Sequence, residues 1–156
     1  MINFKIINKI LGSLLFLEAL LMIVCLGMAF VFGEDDILPF MVSIVVTVFF
    51  GFLFKYHGRN AENRLSRRDS FVVVTLSWLF FSLFGTMPFL FGGYIHSFTD
   101  AFFESVSGFT STGSSVINDV EALPHGILFW RSLSQWLGGL GIVFFTIAIL
   151  PSGVGG

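Results

Sequence analysis

The chain has 156 residues, of which 55% are hydrophobic and 12% charged. That is half the charged fraction of roughly 25% carried by soluble domains. With a mean hydropathy of +0.91 and a net charge of only −2, this composition excludes an ordinary soluble domain and points to a membrane protein. A single cysteine, Cys25, excludes an intramolecular disulfide and a cysteine-cluster metal site. It sits inside an apolar run, where a free thiol behaves as a small hydrophobe.

Lys5 and Lys9 precede an apolar run from Ile10 to Phe32. The hydrophobic part of a signal peptide is about 7–15 residues, so this longer run reads as a retained membrane-spanning helix. Gly33-Glu34-Asp35-Asp36 ends it with an acidic turn. A second span follows from Ile37 to Phe54, with Pro39 near its start, where a missing N–H costs little. The loop after it carries Lys55, Arg59, Arg64, Arg67 and Arg68. A third span runs from Phe71 to Gly93, with Pro88 close to its far end.

The next stretch, Ser97 to Ser115, organises the chain. A helix from Thr99 to Phe109 advances about 1.5 Å per residue, which covers about half of a hydrocarbon core about 30 Å thick. Such a helix enters a bilayer and cannot leave by the far face. The chain returns through Thr110 to Asn118 as non-helical backbone, which is tolerated at membrane depth only where protein buries it or where it lines a watery path. Pro124 then opens a fourth span, Ile127 to Leu150, stopped by Pro151 and Gly153. The expected fold is all-α and integral to the membrane: two leading transmembrane helices (1–69, with a basic cytoplasmic loop) and one helix–pore-loop–helix repeat (70–156) with a re-entrant half-helix.

Charge sets the orientation. Lys5, Lys9, Lys55, Arg59, Arg64, Arg67 and Arg68 fall on one side of this plan, which the positive-inside rule makes cytoplasmic, N-terminus included. Glu34, Asp35, Asp36, Asp100, Glu104, Asp119 and Glu121 fall on or enter from the other side. Negative charge around a re-entrant loop concentrates cations and disfavours anions. Glu34 to Asp36 are expected to be ordinary solvated loop charges.

A dehydrated cation needs several oxygens at fixed distances, and rings of backbone carbonyls in short extended loops supply them. Thr110-Ser111-Thr112-Gly113-Ser114 suits that task. Its small side chains let several loops crowd an axis, and Gly113 permits φ > 0 without a steric cost. The half-helix would aim its negative C-terminal end at the membrane centre, with Asp100 and Glu104 near its positive end.

Two motifs carry a family resemblance: Asp100-Ala-Phe-Phe-Glu-Ser-Val-Ser-Gly-Phe-Thr-Ser-Thr-Gly-Ser, and Phe129-Trp-Arg-Ser-Leu-Ser-Gln-Trp-Leu-Gly-Gly-Leu-Gly-Ile. Together with two leading spans, they resemble the bacterial TrkH family of potassium transporters, of the Trk/Ktr/HKT superfamily, over essentially the whole chain. The resemblance implies potassium uptake across the bacterial inner membrane through four such repeats around one axis. It implies K+ at the carbonyls of Thr110, Ser111, Thr112 and Gly113, with Ser114 beside them, and no organic cofactor. It further implies a homodimer of the full-length protein and a cytosolic, nucleotide-binding partner of the TrkA type, with no nucleic acid involved. Only one pore loop is present here. The chain therefore reads as the N-terminal portion of a longer transporter, or as a short form assembling from copies of itself.

Arg131 and Gln135 share one face of the fourth span. Arg131 lies at a depth where Glu104 or Asp100 can meet it, which suggests a salt bridge bracing the half-helix. Glu18, at mid-depth in the first span, is expected to be a hydrogen-bonded packing residue outside the ion path. Gly138, Gly139 and Gly141 read as close helix packing. His57, His96 and His125 read as interfacial, and Trp130, Trp136 and Tyr94 as anchors or packing.

Two other classes compete. An intramembrane serine hydrolase would use Ser111, Ser114 or Ser115, but needs a base within reach, and Gly108 to Gly113 does not match the G-x-S-x-G elbow. A non-conducting scaffold, or a fragment inactive by itself, fits the composition but leaves the half-length helix unexplained.

Overall fold

A computed structural model describes residues 3–61 and 66–149, with side chains except at residue 67 and residues 144–149. Arg64, Leu150, Pro151 and Gly153, used in the sequence reading, lie outside the described residues. Among the described residues the chain is all-helical, with six helices: α1 (Phe4–Phe32), α2 (Ile37–His57), α3 (Arg67–Gly85), α4 (Met87–Phe91), α5 (Phe98–Phe109) and α6 (His125–Ile149). Three of the apolar segments, α1, α2 and α3 continuing into α4, are long and apolar enough to cross a membrane. The chain is a multi-pass membrane protein of two leading helices followed by one helix–re-entrant loop–helix unit.

The ends of the helices follow from local chemistry. Asn3 caps α1, its side chain accepting from the Ile6 N–H at 3.4 Å. Gly33 ends α1 in a left-handed conformation (φ 66°), its N–H returning to the Ala29 carbonyl at 2.9 Å. Such a turn favours glycine because a Cβ is penalised there. Ser66 and Asp69 form a reciprocal capping box at the start of α3. The second oxygen of Asp69 accepts from the Asn3 N–H at 3.0 Å, tying the start of α3 to the start of α1.

The third apolar segment is not one continuous helix. It breaks at Thr86, between α3 and α4. Pro88 cannot donate to the carbonyl one turn earlier and would clash with it, so the helix restarts with the proline in its first turn. The hydroxyl of Thr86 donates to the Ser82 carbonyl at 2.6 Å, and the freed Gly85 carbonyl accepts from Trp130 Nε1 at 3.1 Å.

α1 and α2 form an antiparallel hairpin drawn together at Gly12, where an added Cβ would meet the Gly51 carbonyl and the Lys55 nitrogen at 2.8 Å. α1 also packs on α3 and α6, and α5 is held between α3 and α6. One core cluster joins Met22, Phe40, Phe89, Phe109, Ile127 and Trp130, and a second joins Ile6, Ile7, Leu11 and Val73 at the other end. Large apolar side chains such as Val31, Leu38, Val45 and Phe52 stay exposed, as expected of surfaces that face lipid.

Charges segregate to the two ends. The basic end gathers the start of α1, the end of α2 and the start of α3, where Gly58 lies against the backbone of Lys5 and Lys9. The acidic end holds Glu34 and Asp36, and here the expectation of solvated loop charges fails. Asp36 is fully buried, and its Oδ2 accepts from the Ile127 N–H at 3.2 Å. Glu34 accepts from the His125 backbone N–H at 2.6 Å and bonds the His125 ring at 2.9 Å, while Phe32 stacks on that ring at 3.9 Å. The turn of the leading hairpin thus occupies the N-terminus of α6, where unsatisfied N–H groups attract carboxylates. His125 is accordingly a partner of the hairpin and not merely interfacial.

Candidate functional site

α5 starts at the acidic end, where the Ser97 hydroxyl accepts from the Asp100 N–H at 3.5 Å. Its twelve residues extend about 18 Å at 1.5 Å per residue. Its last residue, Phe109, meets α6 at Gly138, where an added Cβ would collide with the Phe109 carbonyl. Gly138 lies about 20 Å along α6 from His125 at the same rise. The half-helix therefore stops near mid-depth, and the chain turns back toward the acidic end.

The turn is held from inside. The N–H groups of Ser111 and Thr112 donate to the carbonyls of Gly108 and Ser107 at 2.8 and 2.9 Å. The Ser107 hydroxyl donates to the Ser114 carbonyl at 2.6 Å, and the Ser111 hydroxyl to the Gln135 carbonyl at 2.6 Å. The hydroxyls of Thr110 and Thr112 lie 2.7 Å apart. Ser111 and Gly113 both have positive φ, 54° and 77°. Gly113 matches the expectation from its type. Nothing in Thr-Ser-Thr-Gly marks Ser111 as left-handed. Its conformation costs free energy and is held by the bond to α6; such positions cluster at functional sites.

The consequence concerns the carbonyls. Among the described residues, no hydrogen-bond donor reaches the carbonyls of Thr110, Ser111, Thr112 or Gly113. These residues are exposed. Four successive acceptors are thus left without a donor among the described residues. The Ser114 carbonyl differs, being engaged by Ser107.

Behind the loop lies Glu104, 4% exposed. Its carboxylate accepts from Arg131 Nε at 2.7 Å and pairs with Arg131 Nη2 at 2.6 Å. It also accepts from the Ser115 hydroxyl at 3.0 Å and the Val116 N–H at 3.0 Å. One side chain of the half-helix therefore binds both the returning strand and α6. Of the two acids considered for Arg131, the structure brings Glu104; Asp100 is exposed near the start of α5. Gln135 sits one turn below Arg131, contributes its backbone carbonyl to Ser111, and lines a small recess with Glu104, Ser107, Ser114, Arg131 and Ser134.

Glu18 departs from expectation. It is fully buried, yet among the described residues neither oxygen has a hydrogen-bond partner. Thr47 and Ser43 on α2 direct their hydroxyls to carbonyls of their own helix, at 2.8 and 2.7 Å. Two of the three serines of the hydrolase reading have other partners, Ser111 on α6 and Ser115 on Glu104, and no described histidine bonds either.

A half-length helix, a non-helical return and a row of carbonyls without a described donor, packed among apolar helices, define a membrane protein with a re-entrant loop. The family model that matches, over residues 37–155, is TrkH, described as a cation transport protein, and the chain belongs to that family. It is 40% identical over 156 residues to the Trk system potassium uptake protein TrkH of Halomonas elongata, and 36% identical to that of Escherichia coli K12. Both alignments cover 99% of this chain but 32% of the relative. The crystal structure of the potassium transporter TrkH from Vibrio parahaemolyticus superposes with a TM-score of 0.90 at 38% identity, covering 96% of this chain and 32% of that one. The chain thus spans about a third of the length of the relatives it matches.

Proposed function

We propose that this chain supplies one of four pore loops of a potassium uptake protein in the bacterial inner membrane. The carbonyls of Thr110, Ser111, Thr112 and Gly113 replace part of the hydration shell of K+, with Ser114 at the outer edge of the same filter. The single observation that carries this reading is the row of four successive carbonyls without a donor, presented at mid-depth by a helix that ends there. Residues 1–69 act as a leading pair of helices and 70–156 as the first repeat. Glu104, Arg131 and Gln135 brace the loop, and Asp100 favours the positive end of the half-helix. The basic end faces the cytoplasm by the positive-inside rule. The remaining loops come from further repeats of a longer chain or from copies of this one. The family resemblance adds a homodimer and a TrkA-type cytosolic regulatory subunit as partners. The protein transports K+ and carries out no enzymatic step.

The test is rubidium uptake by the full-length protein in cells deficient in potassium uptake, with and without Gly113→Asp. Uptake that this substitution abolishes at unchanged expression places the loop on the ion path. Uptake indifferent to it moves the filter elsewhere, and absence of uptake from the unaltered protein favours the scaffold.

A further inference from the structure

The carbonyl row from Thr110 to Gly113 is held mostly by its own neighbourhood. The N–H groups of Ser111 and Thr112 return to the end of α5, and the hydroxyls of Thr110 and Thr112 face each other. Among the described residues, one hydrogen bond ties the row to a different helix: the Ser111 hydroxyl donates to the Gln135 carbonyl of α6 at 2.6 Å. Gln135 lies inside α6, where its carbonyl belongs to the helical ladder. A carbonyl has two lone pairs and can take a second donor, but an outside donor reaches it only where the side chains one turn on leave room. Those residues are Gly138 and Gly139. A Cβ on Gly138 would stand 2.8 Å from Ser111 Oγ, and one on Gly139 3.7 Å. The two glycines form a notch that receives this one hydroxyl, since small residues let membrane segments approach closely.

The backbone of Ser111 points the same way. Its φ of 54° is left-handed, a conformation that glycine adopts without steric cost and serine does not. Glycine would suit that backbone better. What serine adds there is the hydroxyl in the notch. The two peptide planes that meet at the Ser111 Cα carry the carbonyls of Thr110 and Ser111, the first two of the row. Because each peptide is planar, the two dihedrals at this residue orient one plane against the other. A side chain anchored on α6 therefore holds both planes in register with that helix.

We propose that Ser111 is a positioning residue for ion selectivity, its hydroxyl keying the carbonyl row into the Gly138–Gly139 notch of α6. This role rests on Thr110 to Gly113 being part of a cation filter, and it belongs to the side chain of Ser111, apart from its carbonyl. Discrimination among cations depends on where the coordinating oxygens stand and how firmly they are held. Without the hydroxyl the row keeps its oxygens but loses its reference to α6, and it adapts more readily to a cation of another radius.

The test is rubidium uptake by the full-length protein against competing K+ and Na+, read as the ratio of the two half-inhibitory concentrations. Ser111→Gly removes the hydroxyl and relieves the left-handed serine, whereas Ser111→Ala removes the hydroxyl and keeps the steric cost. Both should lower the preference for K+ by about two- to tenfold, the factor one net hydrogen bond amounts to. Ser111→Ala should also melt lower than Ser111→Gly. The ratio is a property of each working molecule, so a loss of folded protein alone does not move it. Where a variant does not transport, the same ratio is read from the K+ and Na+ concentrations that raise the melting temperature of the purified protein equally. An unchanged ratio in Ser111→Gly overturns the proposal. So does a shift in Ser111→Ala that is absent from Ser111→Gly, which would assign the effect to backbone strain. Gly113→Asp separates the two levels. Uptake indifferent to it removes the filter and the key together, whereas uptake abolished by it, with the Ser111→Gly ratio unchanged, removes the key alone.

Discussion

Glu104 and Glu18 are the same residue type at nearly the same burial, 4% and 0% exposed, and their surroundings could hardly differ more. Glu104 accepts from three groups, the Arg131 guanidinium, the Ser115 hydroxyl and the Val116 N–H, which belong to α6 and the returning strand. Glu18, in the α1–α2 hairpin, has no hydrogen bond to either oxygen among the described residues. A buried carboxylate is tolerated when its charge is paired and its lone pairs are filled, and is costly otherwise. The re-entrant loop is thus held in place by a satisfied polar network. The hairpin is held by apolar packing and the close approach at Gly12, with Glu18 as an unused polar group.

Breaking the satisfied side has the largest expected effect. Arg131→Ala leaves Glu104 buried without its cation, a change that costs about 3–5 kcal/mol when one partner of a buried pair is removed. Thermal melting of the full-length protein in detergent should show a large fall in stability, with a lower yield of folded protein. Arg131→Lys should recover only part of it, because an ammonium cannot reproduce the two-pronged contact through Nε and Nη2. Unchanged stability with altered ion selectivity would instead put Arg131 on the ion path.

The unsatisfied side should respond in the opposite direction. Glu18→Met keeps the length of the side chain and removes two oxygens that have no described partner. Relieving an unsatisfied buried polar group is worth about 1–3 kcal/mol, so this variant should melt higher than the unaltered protein and transport normally. A variant that melts lower shows that the full-length assembly brings Glu18 a partner, and the contrast with Glu104 disappears.

The sequence made one half of this comparison legible and not the other. Hydropathy runs fix the spans, and the short distance from Thr99 to Phe109 fixes the half-helix, because both are properties of consecutive residues. Gly113 announces its positive φ by its type, and Arg131 announces a nearby acid by its depth. Partner choice across the fold is a different kind of information. That Asp36 and Glu34 reach α6 at Ile127 and His125, 91 residues away, depends on how α1 and α2 dock, which no local pattern encodes. The break at Thr86 was signalled by Pro88, yet a proline near the end of an apolar run is equally compatible with an uninterrupted span. Glu18 is of a type expected to find a hydrogen bond, but none is made among the described residues, and the hydroxyls of Ser43 and Thr47 on α2 donate to carbonyls of their own helix.

The acidic end gives the smallest effects and tests whether the hairpin grips the repeat at all. The hydrogen bond from the His125 ring, and then the His125 backbone N–H, hold the Glu34 carboxyl below its usual range. Its contribution to stability is complete above the unfolded glutamate value of about 4.3 and is lost as the pH falls through the lower folded value. Asp36 runs the other way. Burial pushes its carboxyl up, outweighing the backbone N–H groups that bond it. The folded state binds that proton more tightly, so stability falls as the pH rises from about 3.9 through the raised folded value. In the unaltered protein the two limbs oppose each other and the acid dependence is shallow. Glu34→Gln should remove the limb that rises with pH and leave the falling one exposed, whereas Asp36→Asn should do the reverse. Melting curves between about pH 3 and pH 6 separate them. Identical profiles for both variants and the parent would mean that neither carboxylate engages the start of α6, leaving apolar packing as the whole of the contact between the leading hairpin and the repeat.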